Sequence, residues 1–149
     1  MQRSLILMLV MALPAAAQDK KPVHPRVTAE ILDDVFKSLK LEPRKEEDKN
    51  KVQAYVFQRG DRDVRVINYA GDDLWIESVF KTELTPDQAN QWNARAKYTR
   101  CVLLQDGDKN TVSLEAQLDC VAGVTEGMVR QFLVRFGNEL KDFQTFIDR

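Results

Sequence analysis

The sequence has few of the residues on which common enzyme mechanisms depend. Its one histidine is His24, in a polar stretch with two prolines where no helix or strand is predicted. A serine or cysteine triad and a histidine-rich zinc site both need an imidazole held rigidly against its partners, so both are nearly excluded. Neither GxxxxGK[ST] nor GxGxxG occurs, which removes the phosphate-binding loops of nucleotide-dependent enzymes. We therefore expect no cofactor, no metal and no catalytic residues.

A strong excess of one charge is also missing. The chain has 22 lysine and arginine residues against 23 acidic ones. Domains that bind nucleic acid carry a surplus of basic residues to neutralise phosphates, so we expect no nucleic-acid partner. The 44% hydrophobic and 30% charged content is typical of a globular protein rather than a disordered one.

The apolar segment at the amino end is too short to be a membrane span. It runs from Leu5 to Leu13, about half the ~20 residues that a bilayer requires. Arg3 precedes it, and Pro14 followed by three alanines ends it, which is the pattern of a secretory signal peptide. We predict a signal peptide over residues 1–17, cut after Ala17, and a periplasmic or secreted protein with no stable membrane anchor. A retained anchor and an N-terminal core helix are the less favoured alternatives.

The rest of the chain reads as a flexible leader, residues 18–27, and one domain, residues 28–149. Apolar residues at helical spacing predict helices near residues 29–40 and 86–96 and a long helix after Thr125. Alternating runs predict a three-stranded meander and a later hairpin, and the charged residues 42–50 predict an exposed loop. The fold class is therefore α+β, in the order α-β-β-β-α-β-β-α, with the helices on one face of an antiparallel sheet.

Both faces of the predicted meander are apolar. We assign one face, the helix-covered one, to Val52, Ala54, Val56, Val64, Val66, Leu74, Ile76 and Phe80, and the other to Tyr55, Phe57, Ile67, Tyr69, Trp75 and Val79. A soluble monomer rarely exposes such a second face. We predict that it binds a protein partner or a second copy of the chain, with Tyr55, Phe57, Tyr69 and Trp75 as the binding residues. The alternative is that a helix or the leader covers part of it.

The two cysteines, Cys101 and Cys120, allow two interpretations. Export and an even count favour a disulfide. If Gln105 faces Thr111 in the hairpin, however, Cys101 faces Glu115, and five residues of strand separate it from Cys120. That is roughly 16 Å, too far for a disulfide, so buried free thiols are favoured over the bond.

One pair of carboxylates suggests an alternative function. Asp72 and Asp73 follow Gly71 and could serve a small envelope hydrolase as acid and base. The same residues are typical of a polar β-turn, which is the favoured interpretation.

Most of the chain after residue 17 resembles, in the order of its elements, the YbjN-type bacterial sensory transduction regulator family, and the specific part of the resemblance is Leu84 to Phe136. The resemblance rests on "LTPDQANQWNARAKYTRCVLLQDGDKNTVSLEAQLD" and "AGVTEGMVRQFLVRF", with Trp92 and Asn93, the Asp106-Gly107-Asp108 turn and the Gly123-Val124-Thr125 helix entry. Ala122 stands where members often have a first glycine. The resemblance implies a fold like that of type III secretion chaperones and a binding or regulatory role without catalysis. The signal peptide is a departure, since many members are cytoplasmic.

Overall fold

The computed structural model describes residues 22–47, 52–106 and 109–148. Its elements in chain order are α1 (Ala29–Ser38), β1 (Arg44–Glu47), β2 (Gln53–Arg59), β3 (Arg62–Tyr69), β4 (Asp73–Phe80), α2 (Pro86–Arg95), β5 (Arg100–Asp106), β6 (Lys109–Asp119) and α3 (Glu126–Ile147). All the strands join one antiparallel sheet in the order β1-β2-β3-β4-β6-β5. The predicted α+β class is confirmed.

Strand β1 corrects one prediction, because it lies in the segment expected to be a loop. Its four residues are all charged and exposed, but their backbone pairs with β2, from Arg44 opposite Val56 to Glu47 opposite Gln53. An edge strand needs only backbone hydrogen bonds on one side, so apolar periodicity does not reveal it.

Each helix begins where the sequence predicts, at a threonine cap. The hydroxyl oxygens of Thr28 and Thr125 accept hydrogen bonds from the backbone N–H groups of Ile31 (3.4 Å) and Met128 (3.2 Å). Thr85 does the same for Gln88 (3.2 Å), and the Gln88 side chain accepts from the Thr85 N–H in return (2.9 Å), completing a capping box. These caps satisfy backbone donors that the first helical turn leaves without partners.

All three helices pack on one face of the sheet, as predicted. From α1, Phe36 contacts Tyr55 and Phe57 of β2, with ring centroids 5.3 and 5.7 Å apart. From α3, Phe143 lies between Phe80 of β4 (5.1 Å) and Trp92 of α2 (4.9 Å). These aromatic contacts belong to one buried cluster that joins the three helices to the sheet.

The described part of the predicted leader, residues 22–27, is attached to the domain. His24 and Val124 exchange two backbone hydrogen bonds of 2.8 Å each, and Val27 is buried. The Val27 N–H donates to the carbonyl of Gly71 (2.9 Å), whose positive φ of 85° and close contact with Val27 leave no room for a side chain. Over residues 22–27 the predicted flexible leader is therefore packed against the domain.

The predicted signal peptide, residues 1–17, and the first part of the leader lie outside the described residues. Among the helices of the described ranges, none is both long and apolar enough to cross a membrane.

Candidate functional site

The side of the sheet opposite the three helices is the candidate site, and we call it the helix-free face. The strand register assigns to it alternate residues of five strands, among them Ala54, Val56, Arg65, Ile67, Tyr69, Trp75, Glu77, Val79, Arg100, Val102, Leu104, Ser113, Glu115 and Gln117. Its buried members Ala54, Val56 and Ile67 lie outside the buried cluster beneath the helices. The sheet thus separates two apolar layers, one of them the core.

Several apolar side chains of the helix-free face are open to solvent. Tyr69 is 45% exposed and Val79 is 48% exposed, although both belong to strands with neighbours on each side. Tyr69 lies opposite Asp73, six residues along β4 from Val79, so these two exposed side chains are about 20 Å apart at opposite ends of the face.

Trp75 is held in a fixed orientation at the centre of this face. Its indole Nε1–H donates to Glu77 Oε2 (3.4 Å), and the Arg100 guanidinium lies over its ring at 5.0 Å from the centroid. Ile67 is its cross-strand neighbour on β3. A half-buried tryptophan fixed from both sides loses little conformational entropy when it becomes an interface anchor.

A row of charged residues crosses the helix-free face from β3 to β5. Arg65 pairs with Glu77, Glu77 with Glu115, and Glu115 with Arg100, each directly opposite the next in the register. The ion-pair distances are 3.6 Å for Arg65–Glu77 and 3.3 Å for Arg100–Glu115. Two carboxylates directly opposite each other repel, so the flanking arginines are needed to hold Glu77 and Glu115 side by side. The row has no net charge but a fixed order of signs.

Ser113 adds a polar group without a partner to the same face. Its side chain is fully buried, and its hydroxyl forms no hydrogen bond with any described residue. In the register it lies between Val79 and Val102. A buried hydroxyl with no partner is unfavourable by about 1–3 kcal/mol, and because Ser113 has no exposed surface, a molecule on this face cannot reach its hydroxyl unless neighbouring side chains move.

The structure brings together only two of the four predicted binding residues. Tyr69 and Trp75 lie on the helix-free face, whereas Tyr55 and Phe57 are 1% and 6% exposed and pack under α1. The prediction of which β2 residues lie on each face is therefore wrong: Ala54 and Val56 lie on the helix-free face, and Tyr55 and Phe57 lie on the helix-covered one. The reason is the turn between β2 and β3: Arg59 pairs with Arg62 across two residues, which puts odd-numbered residues of β2 beside even-numbered residues of β3.

The hydrolase alternative gains no support from the geometry. Asp72 pairs with Arg26 (3.2 Å), while Asp73 accepts a hydrogen bond from Gln117 (3.1 Å). The two carboxylates thus have separate partners at the β3–β4 turn. Within residues 22–47, 52–106 and 109–148, no group of three or more histidine, cysteine or acidic side chains is placed to hold a metal ion.

The cysteines are free and buried, which argues against the disulfide. Cys101 pairs with Leu114 rather than Glu115, so six residues of strand separate it from Cys120, or about 20 Å. Burial raises the pKa of the Cys101 thiol to about 11, and the Glu115 carboxylate acts in the same direction. Burial raises the pKa of Cys120 to about 11 as well, assisted by Asp73 and Asp119.

These thiols are expected to react slowly in the folded protein. At pH 8 a thiol of pKa about 11 is ~0.1% thiolate, against ~25% for an ordinary cysteine, so labelling should be at least ~100-fold slower than in the unfolded chain. A colorimetric thiol assay without reductant measures the rate of labelling in the folded protein and the number of free thiols in the unfolded chain. Two thiols released on unfolding are expected, and none would show that the disulfide forms after all.

Comparison with known proteins gives one family and several similar structures. Residues 28–149 match the model of a family named YbjN and described as "Putative bacterial sensory transduction regulator". YbjN of E. coli, described as a "putative transcription regulator", has a similar structure with a TM-score of 0.54 and 16% identity, covering 79% of this chain and 94% of that one. No curated protein matches.

Two further structures share the fold. The Yersinia pestis type III secretion chaperone SycH, in complex with a stable fragment of YscM2, has a TM-score of 0.54 and 15% identity over 80% of this chain and 98% of its own. An uncharacterised protein from Methanothermobacter thermautotrophicus has a TM-score of 0.54 and 13% identity over 80% and 96%. At such identities the similarity establishes the fold alone.

Proposed function

The chain belongs to the YbjN family, and from this premise we propose that it is an exported, non-enzymatic binding domain that holds a protein partner on its helix-free face. Membership confirms the resemblance seen in the sequence, and the secretion-chaperone-like fold is confirmed as well. A regulator in this family has to recognise another molecule, so the question is which surface does so.

The observation that carries the proposal is the aromatic pair Tyr69 and Trp75, which lie diagonally across β3 and β4 on the side of the sheet away from the core; Val79 is exposed on the other side of the charged row. Tyrosine and tryptophan are enriched among the residues that dominate interface energies, and Trp75 is already oriented by Glu77 and Arg100. The charged row beside it gives a partner fixed positive and negative positions to match, which favours one orientation.

A similar structure supports a protein rather than a small molecule as the ligand. SycH, which shares this fold, was solved with a protein fragment bound. In addition, the helix-free face is a broad sheet surface, and small-molecule sites are usually concave clefts.

Photo-crosslinking in cells tests this surface. A photoreactive amino acid at position 69 or 79 should give the same crosslinked species, because both residues lie on the helix-free face. Position 98 is a matched control: Tyr98 is 48% exposed against 45% for Tyr69, but lies in the loop before β5. Crosslinks of equal yield from position 98 would contradict the proposal.

Substitution then measures the contribution of each anchor. Trp75→Ser and Tyr69→Ser are expected to reduce recovery of the crosslinked partner at least ~10-fold, in line with aromatic anchors that contribute ~2 kcal/mol or more. Tyr98→Ser should leave recovery unchanged. Thermal melts of all three variants distinguish lost binding from lost folding, and undiminished recovery in folded Trp75→Ser would reject this face.

Export is a separate part of the proposal, and it rests on residues 1–17. The intact mass of the protein recovered from cells in the same experiment tests it. A chain that begins at Gln18 supports signal-peptide cleavage, whereas a chain that retains Leu5 to Leu13 contradicts it.

A further inference from the structure

The charged row of the helix-free face lies between two apolar side chains of β4. Trp75 precedes Glu77 by two residues and Val79 follows it by two, so the three side chains lie on the same face. A molecule that contacts both Trp75 and Val79 must therefore cross the row and remove water from it. Charges interact more strongly where water is removed, so the row takes part in the choice of partner.

The ends of the row are more open to solvent than its centre. The side chains of Arg65 and Arg100 are 40% and 58% exposed. Those of Glu77 and Glu115 are 21% and 8% exposed. A partner therefore meets a negative centre with a guanidinium group on each side. Glu77 is the carboxylate that a partner group can reach more easily, and Glu115 adds a second negative charge from the neighbouring strand.

The centre of the row attracts a positive charge. Each carboxylate of the row has one arginine partner, but the carboxylates of Glu77 and Glu115 also face each other across β4 and β6. Water screens their repulsion while the face is open, and this screening is lost under a bound partner. An apolar residue at this position would leave the repulsion in place and an acidic residue would add to it, whereas a basic residue is attracted by both carboxylates.

The spacing of the strands sets the distances between these positions. Neighbouring strands are about 4.8 Å apart, so the row spans roughly 14 Å, and each arginine lies about 7 Å from the midpoint between Glu77 and Glu115. Alternate residues of an extended chain are separated by about 6.6 Å, and residues four apart on a helix by about 6 Å. A protein segment that lies along the row can therefore place one charge at its centre and one at each end.

We propose that the partner segment carries a basic residue with an acidic residue on each side. The base binds at Glu77 and Glu115, and the two acids bind at Arg65 and Arg100. This inference rests on the function proposed above, because it specifies the chemistry of the partner for the same surface. Every charge of the row then meets an opposite charge, and a segment with the reverse order of signs is repelled.

The order of signs also favours a different protein over a second copy of this chain. From Arg65 to Arg100 the signs are positive, negative, negative and positive, which is the same from either end. Two copies placed face to face with their rows superposed would therefore bring like charges together, which is unfavourable. The acid–base–acid segment has no such conflict.

Selection of random peptides displayed on phage tests the inference. Peptides are selected for binding to the purified protein and against binding to its Trp75→Ser variant, so that only those that depend on the helix-free face remain. We expect the enriched sequences to contain a lysine or arginine with an aspartate or glutamate on each side. The acids should be two positions away in an extended segment or four positions away in a helix.

A synthetic peptide with an enriched sequence then measures the role of the row by fluorescence anisotropy. Glu77→Gln removes the charge but keeps an oxygen that can accept from Trp75, and it should weaken binding about tenfold. Glu83→Gln is the matched control, because Glu83 is exposed but lies between β4 and α2. Glu77→Lys should reverse the preference and bind better when the base of the peptide is replaced by glutamate. Circular dichroism shows whether each variant is folded.

Three results would overturn the inference but leave the surface in place. One is a set of enriched peptides that depend on Trp75 but share no order of charges. Another is an equal effect of Glu77→Gln and Glu83→Gln. The third is a photo-crosslink from position 69 or 79 that joins two copies of this chain. Failure to enrich any peptide that depends on Trp75 would contradict the binding surface itself, and the inference would be rejected with it.

Discussion

Replacing Phe143 with alanine is expected to lower the free energy of unfolding by about 4 kcal/mol, since truncation of a buried phenylalanine typically costs about 3–5 kcal/mol. Phe143 is fully buried. Its ring meets Phe80 and Trp92 edge to face, at centroid distances of 5.1 and 4.9 Å, and lies 6.1 Å from Phe146. The substitution therefore removes a side chain that joins β4, α2 and α3 at one point.

Urea unfolding followed by far-ultraviolet circular dichroism measures this change. Met128→Ala is the control, because Met128 belongs to the same helix but is 43% exposed. Its effect should stay below ~1 kcal/mol. A loss of less than ~1.5 kcal/mol in Phe143→Ala would show that the neighbouring rings close the cavity or that the three elements are not joined there.

Replacing Glu139 with alanine is expected to lower the free energy of unfolding by about 3 kcal/mol. The Glu139 carboxylate accepts hydrogen bonds from the backbone N–H groups of Lys97 (2.9 Å), Tyr98 (3.3 Å) and Thr99 (2.8 Å), and from the Thr99 hydroxyl (2.6 Å). That hydroxyl in turn accepts from Trp92 Nε1 (3.3 Å). Hydrogen bonds to a charged group contribute about 1.5–3 kcal/mol each, but these share one carboxylate and are not additive.

Comparison with Glu139→Gln shows whether the loss of stability in Glu139→Ala comes from the carboxylate's hydrogen bonds. Glutamine keeps one acceptor oxygen, but its NH2 group takes the place of the second and faces backbone N–H donors, so its effect should be smaller than that of alanine only by the bonds that the remaining oxygen keeps. Asp142→Ala removes an exposed acid from the same helix and should change stability by no more than ~0.5 kcal/mol. Equal effects at positions 139 and 142 would mean that only helix charge matters, not the connection to residues 97–99.

Much of the fold follows from local signals in the sequence. Thr28, Thr85 and Thr125 begin the three helices as predicted, because caps and helical periodicity involve residues only a few positions apart. Strand β1 was missed for the same reason, since its pairing with β2 leaves no apolar pattern in the segment itself. Glu139 was missed too, as its partners lie about forty residues away.

The candidate site was predictable only in part, because a face depends on how strands are joined. Tyr69 and Trp75 share the predicted face, since β3 and β4 pair from Tyr69 opposite Asp73, which keeps odd-numbered residues together. The turn between β2 and β3 is one residue shorter, so odd-numbered residues of β2 share a face with even-numbered residues of β3. Tyr55 and Phe57 therefore lie on the helix-covered face, not on the face predicted for them. The charged row requires β4 to lie beside β6, and strand order of this kind is not encoded in any single segment.

The attachment of residues 24 and 27 affects where the folded unit begins. The family match starts at residue 28, but Val27 is buried and its carbonyl accepts a hydrogen bond from Asn68 (3.2 Å), while His24 bonds to Val124 just before α3. A chain shortened to the family boundary would lose these bonds and expose the start of α3 and the β3–β4 turn. The autonomous folding unit therefore extends upstream of residue 28, where the family match begins.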